Sequence, residues 1–190
     1  MIIVYACLVL FAIEAAVLRE RLIRLTSLKI RHLYLVWIAL ANEVLVIAVL
    51  PGHQSLLFAC GNILSYVAGG VFVWCNREVP SLALIACGGG LNLTAMVANG
   101  GVMPASAKAM AASGWRQPRG HFANSAVLAH PKLALLGDIF ATPRWVPGHD
   151  VFSIGDVIVV VAFGLLVYRV CAKVPGAASE NISLGAAQPG

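Results

Sequence analysis

The sequence predicts an all-α fold, an integral membrane bundle of five transmembrane helices with a structured extracytoplasmic loop between the fourth and the fifth. Of the 190 residues, 60% are hydrophobic and 11% are charged, whereas about 25% of a soluble domain is charged. The mean hydropathy is +0.88. The formal charge of +5 does not indicate a nucleic-acid-binding protein, because the basic residues are scattered among apolar segments and form no continuous stripe.

Five apolar segments are long enough to cross about 30 Å of hydrocarbon, which takes about 17 to 25 helical residues. They lie at 2–18, 33–50, 55–75, 80–98 and 154–172. Together they predict a single transmembrane domain over 1–173 with an outer loop at 99–153. The remaining residues, 174–190, are rich in Gly, Ala and Ser and predict a disordered cytoplasmic tail.

The distribution of basic residues predicts the orientation. No basic residue precedes the first apolar segment, which therefore differs from a cleaved signal peptide and is expected to be a retained helix with its amino end outside. The densest basic run, from Arg19 to Arg31, then lies in the cytoplasm. Alternation places the carboxyl terminus in the cytoplasm as well, as in a multi-pass protein of a bacterial cytoplasmic membrane.

The loop at 99–153 is expected to be an ordered cap on the outer ends of the helices, because long unstructured loops are uncommon in compact proteins. Its composition predicts one short helix at 105–112 and another at 131–140. Aromatic side chains, which favour the membrane interface, are spaced along it: Trp115, Phe122, Phe140 and Trp145.

Three of the polar residues within the predicted membrane segments are candidates for an intramembrane site: Glu43, Asn62 and Asn92. Glu43 lies near mid-membrane, where a charge costs at least about 2.5 kcal/mol. We expect its side chain to face the bundle interior, with Asn62 or Asn92 as the neighbour from another helix. Two roles stay open for Glu43, a packing contact and the handling of an ion or substrate.

Two aspartates of the outer loop region, Asp138 and Asp156, are the candidate catalytic residues. Ser153 and Asp156 have the spacing of a capping box at a helix start, which is the alternative role for Asp156. If the folded loop brings Asp138 close to Asp156, the two carboxyls form a possible acid and base pair. The candidates for binding a substrate or an anionic headgroup are Arg116, Arg119, Arg144 and Asn99.

The sequence indicates neither a metal site nor a cofactor. The five cysteines form no CxxC pair, and the loop histidines lack the helical spacing of a zinc motif. No P-loop, dinucleotide-binding glycine pattern or nucleophile elbow is present. The glycines at 69–70 and 88–90 are typical of helices that pack closely in membranes.

Three short motifs resemble a family of polytopic bacterial membrane proteins known only as a domain of unknown function. They are Asn99 to Ala105, Leu136 to Asp138, and Phe152 to Asp156. The resemblance covers about 1–172 and implies a polytopic membrane protein without an assigned activity. It also implies a common family feature formed by Asn99, Gly100, Gly101, Met103, Pro104, Gly137, Asp138, Ser153, Gly155 and Asp156.

The sequence favours a subunit, scaffold or assembly factor of a membrane complex over an enzyme, because no complete catalytic set is visible. The expected partners are the lipid bilayer and either other membrane subunits or a second copy of the chain. Two alternatives stay open, an outer-leaflet enzyme acting on a lipid or lipid-linked substrate and a small dimeric transporter. The enzyme requires Asp138 and Asp156 to converge on a concave pocket that water can reach.

Overall fold

Six α-helices make up most of the described residues in a computed structural model, which describes 2–49, 56–114, 125–146 and 149–172. They are α1 (Ile2–Val17), α2 (Tyr34–Val49), α3 (Leu56–Cys75), α4 (Leu82–Ala98), α5 (Ala107–Ser113) and α6 (Ile154–Ala172). Two 3-10 helices, Arg19–Ser27 and Ala134–Leu136, lie between them. The tail predicted at 174–190 falls outside the described residues.

The predicted apolar segments form α1 to α4 and α6, but the prediction of five transmembrane helices is wrong. Among the described residues, only α6, with 19 residues, is both long and apolar enough to cross a bilayer. The helices α1 and α2 have 16 residues each and α4 has 17. At about 1.5 Å per residue they are about 24 to 26 Å long, which is shorter than the hydrocarbon core.

The long helices pack side by side in the order α2, α3, α4, α6 and α1. The closest approach is between α4 and α6, where a Cβ on Gly88 would lie 2.5 Å from the Gly155 carbonyl oxygen. Glycine at such a crossing lets two backbones come together. Asn42 links α2 to α3, because its Nδ2 donates to the Gly61 carbonyl and to Ser65 Oγ, both at 2.7 Å.

The described part of the loop between α4 and α6 forms a cap that contains two small sheets, so the all-α prediction is also wrong. The strands are β1 (Met103–Pro104), β2 (Ser125–Ala126), β3 (Asp138–Ala141) and β4 (Val151–Ser153). The pair β1–β2 is parallel and the pair β3–β4 is antiparallel. These strands have two to four residues each, too few for an alternating pattern to be visible in the sequence.

One of the two helices expected in the loop is present. It is α5, which follows the cap residue Ser106, whose Oγ accepts the Ala109 amide at 3.5 Å. The prediction of a helix at 131–140 is wrong, because only Ala134–Leu136 is helical there and Asp138 starts a strand. Asp138 bridges to Ala105, and its carbonyl accepts the Ser106 amide at 3.0 Å. This pairing across the loop overrides the local preference.

The cap is seated on the carboxyl end of α4. After α4 the chain turns at Gly100 and Gly101, whose φ angles of +70° and +89° lie in the left-handed region that glycine tolerates. The turn brings Met103 back against Ala95 and Met96 of the helix, and the three side chains form a buried apolar cluster. The position of the cap relative to α4 is therefore fixed by packing at its base.

Candidate functional site

Ser153 and Asp156 form the capping box that their spacing predicts at the start of α6. The Asp156 amide donates to Ser153 Oγ at 3.0 Å, and the Ser153 amide donates to Asp156 Oδ2 at 2.8 Å. Both residues are buried, with Ser153 0% and Asp156 8% exposed. Each side chain thus satisfies a backbone N–H that the helix leaves unpaired, and the carboxyl lies at the positive end of the helix dipole.

Asn92 of α4 closes this box into a three-residue network. Its Nδ2 donates to Asp156 Oδ1 at 2.6 Å, and Ser153 Oγ donates to Asn92 Oδ1 at 2.8 Å. The network requires a glycine at position 155, since a Cβ there would clash with Asn92 Oδ1. Both oxygens of the Asp156 carboxyl therefore already accept a hydrogen bond from the protein.

Asp138 lies beside this network at the start of β3. It is the strand partner of Ser153, it is only 4% exposed, and its Oδ2 accepts a hydrogen bond from Ser125 Oγ of β2. Gly137 before it lies against the backbone of β1, because a Cβ there would clash with the Pro104 carbonyl oxygen. Residues from all three sequence motifs thus meet where the cap joins α4 and α6.

The surroundings of Asp138 raise its pKa from 3.8 to about 7. Burial is the largest cause, because it penalises the charged form. The hydrogen bond from Ser125 lowers the pKa, and the negative charges of Asp156 and Asp150 raise it. The carboxyls of Asp138 and Asp156 are therefore close enough to interact, and near neutral pH Asp138 is divided between its protonated and ionised forms.

This raised pKa predicts a pH-dependent stability. Because the pKa of Asp138 is about 7 in the folded chain and 3.8 as its ordinary value, protonation favours folding. The contribution is fully present below about pH 4 and is lost as the pH rises through 7. We expect the free energy of unfolding, relative to Asp138→Asn, to fall by up to about 4 kcal/mol over that range.

The measurement is denaturant unfolding of the wild type and Asp138→Asn in mild detergent between pH 4 and 8. Subtracting the Asn variant removes the contributions of the other carboxyls. A difference in unfolding free energy that is constant with pH, or that grows as the pH rises, would contradict the assignment.

Asn99 and Arg144, two of the candidates for binding a headgroup, form hydrogen bonds with backbone groups of the cap. Asn99 forms a two-way contact with Lys132, accepting its amide and donating to its carbonyl, both at 2.8 Å. Arg144 Nη2 donates to the Ala111 carbonyl at 2.7 Å near the end of α5. The other two candidates, Arg116 and Arg119, lie outside the described residues.

Of the three polar residues proposed for an intramembrane site, the structure describes the side chain of Asn92. Asn92 takes its partners from the end of β4 and the start of α6, as given above. The side chains of Glu43 and Asn62 lie outside what the structure describes, so the predicted contact of Glu43 stays a prediction. Between α2 and α3 the described polar link is Asn42, the residue adjacent to Glu43.

A groove of about 300 Å³ lies beside the start of α6. Its lining residues are Ala6, Thr142, Phe152, Asp156, Val157, Val160 and Val161. The lining is largely aliphatic and does not include Asp138. Across the described ranges, no group of three His, Cys, Asp or Glu residues is arranged to hold a metal ion. Of the two neighbouring aspartates, Asp156 lines this groove and Asp138 does not.

Two features of this cluster could not be predicted from the sequence. They are the hydrogen bond from Ser125 to Asp138 and the contact of Asn92 with α6. Ser125 follows a long stretch of loop and has no motif around it. Asn92 lies 64 residues from Asp156, so no spacing rule connects them. The one available signal is the isolated Asn in an otherwise apolar helix, since buried amides need partners.

Comparison with known proteins identifies a family and nothing more specific. A family model described as a family of unknown function (DUF5317) matches residues 27–168. No curated protein and no solved structure matches the chain.

Proposed function

We propose, for a chain that belongs to the DUF5317 family of unknown function, that it is a membrane-embedded scaffold or assembly subunit of a larger membrane complex. One observation carries the proposal: the buried side chains of Asn92, Ser153 and Asp156 satisfy one another's hydrogen bonds. The two carboxylate oxygens of Asp156 are occupied by Asn92 and Ser153, and Asp138 is buried under the cap. These groups hold the cap and the helices together, and of the two aspartates Asp156 alone lines the groove beside α6.

The outer surface of the helices supports a location in the membrane. Large apolar side chains on α1 to α3 are each more than half exposed, among them Leu8, Val9, Ile13, Trp37, Leu45 and Leu64. A water-soluble monomer rarely exposes so many large apolar side chains. We assign the crossing of the bilayer to α6, and we assign the apolar faces of the other helices to lipid and to neighbouring subunits.

Two measurements on native membranes test this proposal. Alkaline carbonate treatment should leave the full chain in the membrane pellet, with a peripheral protein as the control for release. Chemical cross-linking before solubilisation should give discrete products larger than the 20.0 kDa chain. Release by carbonate would exclude an embedded protein, and a chain that stays monomeric in both cross-linking and mild detergent would exclude a subunit role.

The proposed orientation makes a separate prediction. The basic residues between Arg19 and Arg31 favour a cytoplasmic location, and Arg24 donates to the Cys171 carbonyl at the end of α6. A carboxyl-terminal fusion should therefore be fluorescent with a reporter that folds in the cytoplasm and inactive with a periplasmic phosphatase. The opposite pattern would reverse the orientation.

A second candidate, an outer-leaflet enzyme acting on a lipid, is favoured by two observations taken together. Asp138 has a pKa of about 7, which suits a general acid or base, and the largely apolar groove lies beside its neighbour Asp156. Asp138→Asn keeps an acceptor for Ser125 but cannot transfer a proton. If cells carrying this variant accumulate a lipid that wild-type cells convert, as measured by mass spectrometry of extracted lipids, the enzyme replaces the scaffold.

A further inference from the structure

The end of the molecule opposite the cap is joined by hydrogen bonds between segments distant in sequence. Arg24 Nη1 donates to the Cys171 carbonyl at 2.9 Å, which ties the 3-10 helix to the end of α6. The Arg31 amide donates to Asn76 Oδ1 at 2.7 Å, and Asn76 Nδ2 donates to the Arg31 carbonyl at 2.8 Å. The 3-10 helix Arg19–Ser27, the segment before α2 and the end of α3 therefore lie at one end.

Exposed basic side chains are concentrated there. We define the basic face as Arg19, Arg21, Lys29, Arg31 and Arg77, all exposed, together with Trp74. The acidic residues in the same stretches are Glu20 and Glu78. In the described part of the cap, by contrast, the three basic residues Lys108, Lys132 and Arg144 are accompanied by two aspartates, the buried Asp138 and the half-buried Asp150. The two ends of the molecule thus differ in charge.

Apolar side chains are interleaved with the charges of the basic face. Trp74 is 71% exposed, and the Arg77 guanidinium lies 5.3 Å from the centre of its ring. Ile23 is 73% exposed on the 3-10 helix between basic neighbours. Exposed rings also stand at the adjoining helix ends, those of Tyr34 and Tyr168. Basic groups beside exposed rings are the pattern found where a protein meets lipid headgroups.

We propose that the basic face binds the phosphate groups of anionic phospholipids at the surface of a bilayer. The basic heads reach the phosphates, while Ile23 and Trp74 enter the layer just below them. A nucleic acid would satisfy the charges but leave Ile23 in water, so the interleaved apolar side chains favour lipid. The proposal rests on the proposed function only in placing the chain at a membrane, and its test does not need the chain to be embedded.

The test is a lipid titration of the full chain in neutral detergent, followed by native mass spectrometry. The probes are phosphatidylglycerol and the uncharged phosphatidylcholine. The variant Arg21→Gln/Lys29→Gln removes two exposed charges of the basic face, and the matched control, Lys108→Gln/Lys132→Gln, removes two exposed charges at the cap. Thermal unfolding of each protein establishes that it is folded.

The wild type and the cap control should bind phosphatidylglycerol more tightly than phosphatidylcholine. The basic-face variant should bind it about 25-fold more weakly, since each basic residue near an anionic surface contributes about fivefold. Added salt should also weaken the binding of phosphatidylglycerol to the wild type. Equal losses in the two variants, no preference between the lipids, or displacement of phosphatidylglycerol by a single-stranded oligonucleotide would overturn the proposal. Because these lipids bind in detergent, release of the chain by carbonate would overturn the embedded scaffold and leave this result standing.

Discussion

Replacing Asn92 with leucine is expected to lower the free energy of unfolding by about 3 kcal/mol, because it breaks the network between α4 and α6 at both of its links. Asp156 Oδ1 loses the donor that lies at 2.6 Å, and the Ser153 hydroxyl loses its acceptor. Both groups are buried, so water does not readily replace the missing partner. The measurement is denaturant or thermal unfolding in mild detergent.

The control for this variant is Thr94→Val on the same helix. Thr94 is exposed, and its hydroxyl donates to the Gly90 carbonyl at 2.7 Å within the helix. Removing that hydrogen bond should change the unfolding free energy by less than about 0.5 kcal/mol. If Asn92→Leu and Thr94→Val have the same small effect, the network does not hold the helices together and the argument for a structural role of Asp156 fails.

Gly88→Ala is expected to destabilise the chain by about 2 to 3 kcal/mol, because the added methyl group cannot fit between α4 and α6. A Cβ at this position would lie 2.5 Å from the Gly155 carbonyl oxygen and 2.8 Å from Val159 Cγ2. The first of these atoms belongs to the backbone, so relief requires the two helices to separate. Separation would also lengthen the hydrogen bond between Asn92 and Asp156.

The adjacent glycine provides a matched control. A Cβ on Gly89 has no other atom within 4 Å, and alanine is a better helix former than glycine, so Gly89→Ala should be neutral or stabilise by up to about 1 kcal/mol. Opposite effects of two neighbouring glycine-to-alanine changes, read from unfolding curves in the same detergent, are the expected signature of the crossing. Equal effects would mean that the close approach is absent in solution.

Local signals in the sequence predicted the parts of this fold that depend on local interactions. The capping box of Ser153 and Asp156 was predicted from a three-residue spacing, and the two residues bond as that spacing requires. The apolar segments coincide with helices because runs of apolar residues without breakers favour helix when they are long. Composition was a poor guide to membrane crossing, since the apolar windows extended past the ends of α1, α2 and α4.

The parts that sequence could not predict are contacts between distant segments. The bond from Ser125 to Asp138 joins two places in the loop, and strands β1 to β4 exist only because their backbones pair across it. Asn92, one of the two residues expected as a neighbour of Glu43, has its described hydrogen-bond partners in β4 and α6. A buried amide in an apolar helix indicates that a hydrogen-bond partner is present. The sequence does not indicate which of several neighbouring helices supplies that partner.

The two hydrogen bonds between Asn99 and Lys132 close a ring of chain, since the two residues are 33 positions apart in sequence. For a flexible ring, doubling the length raises the entropic cost of closure by only about 0.6 kcal/mol. Residues added between α5 and β2 would therefore enlarge the ring without unfastening it, as long as Asn99 keeps its amide. The attachment of the cap thus depends on the contact between Asn99 and Lys132, and the number of residues between them can vary.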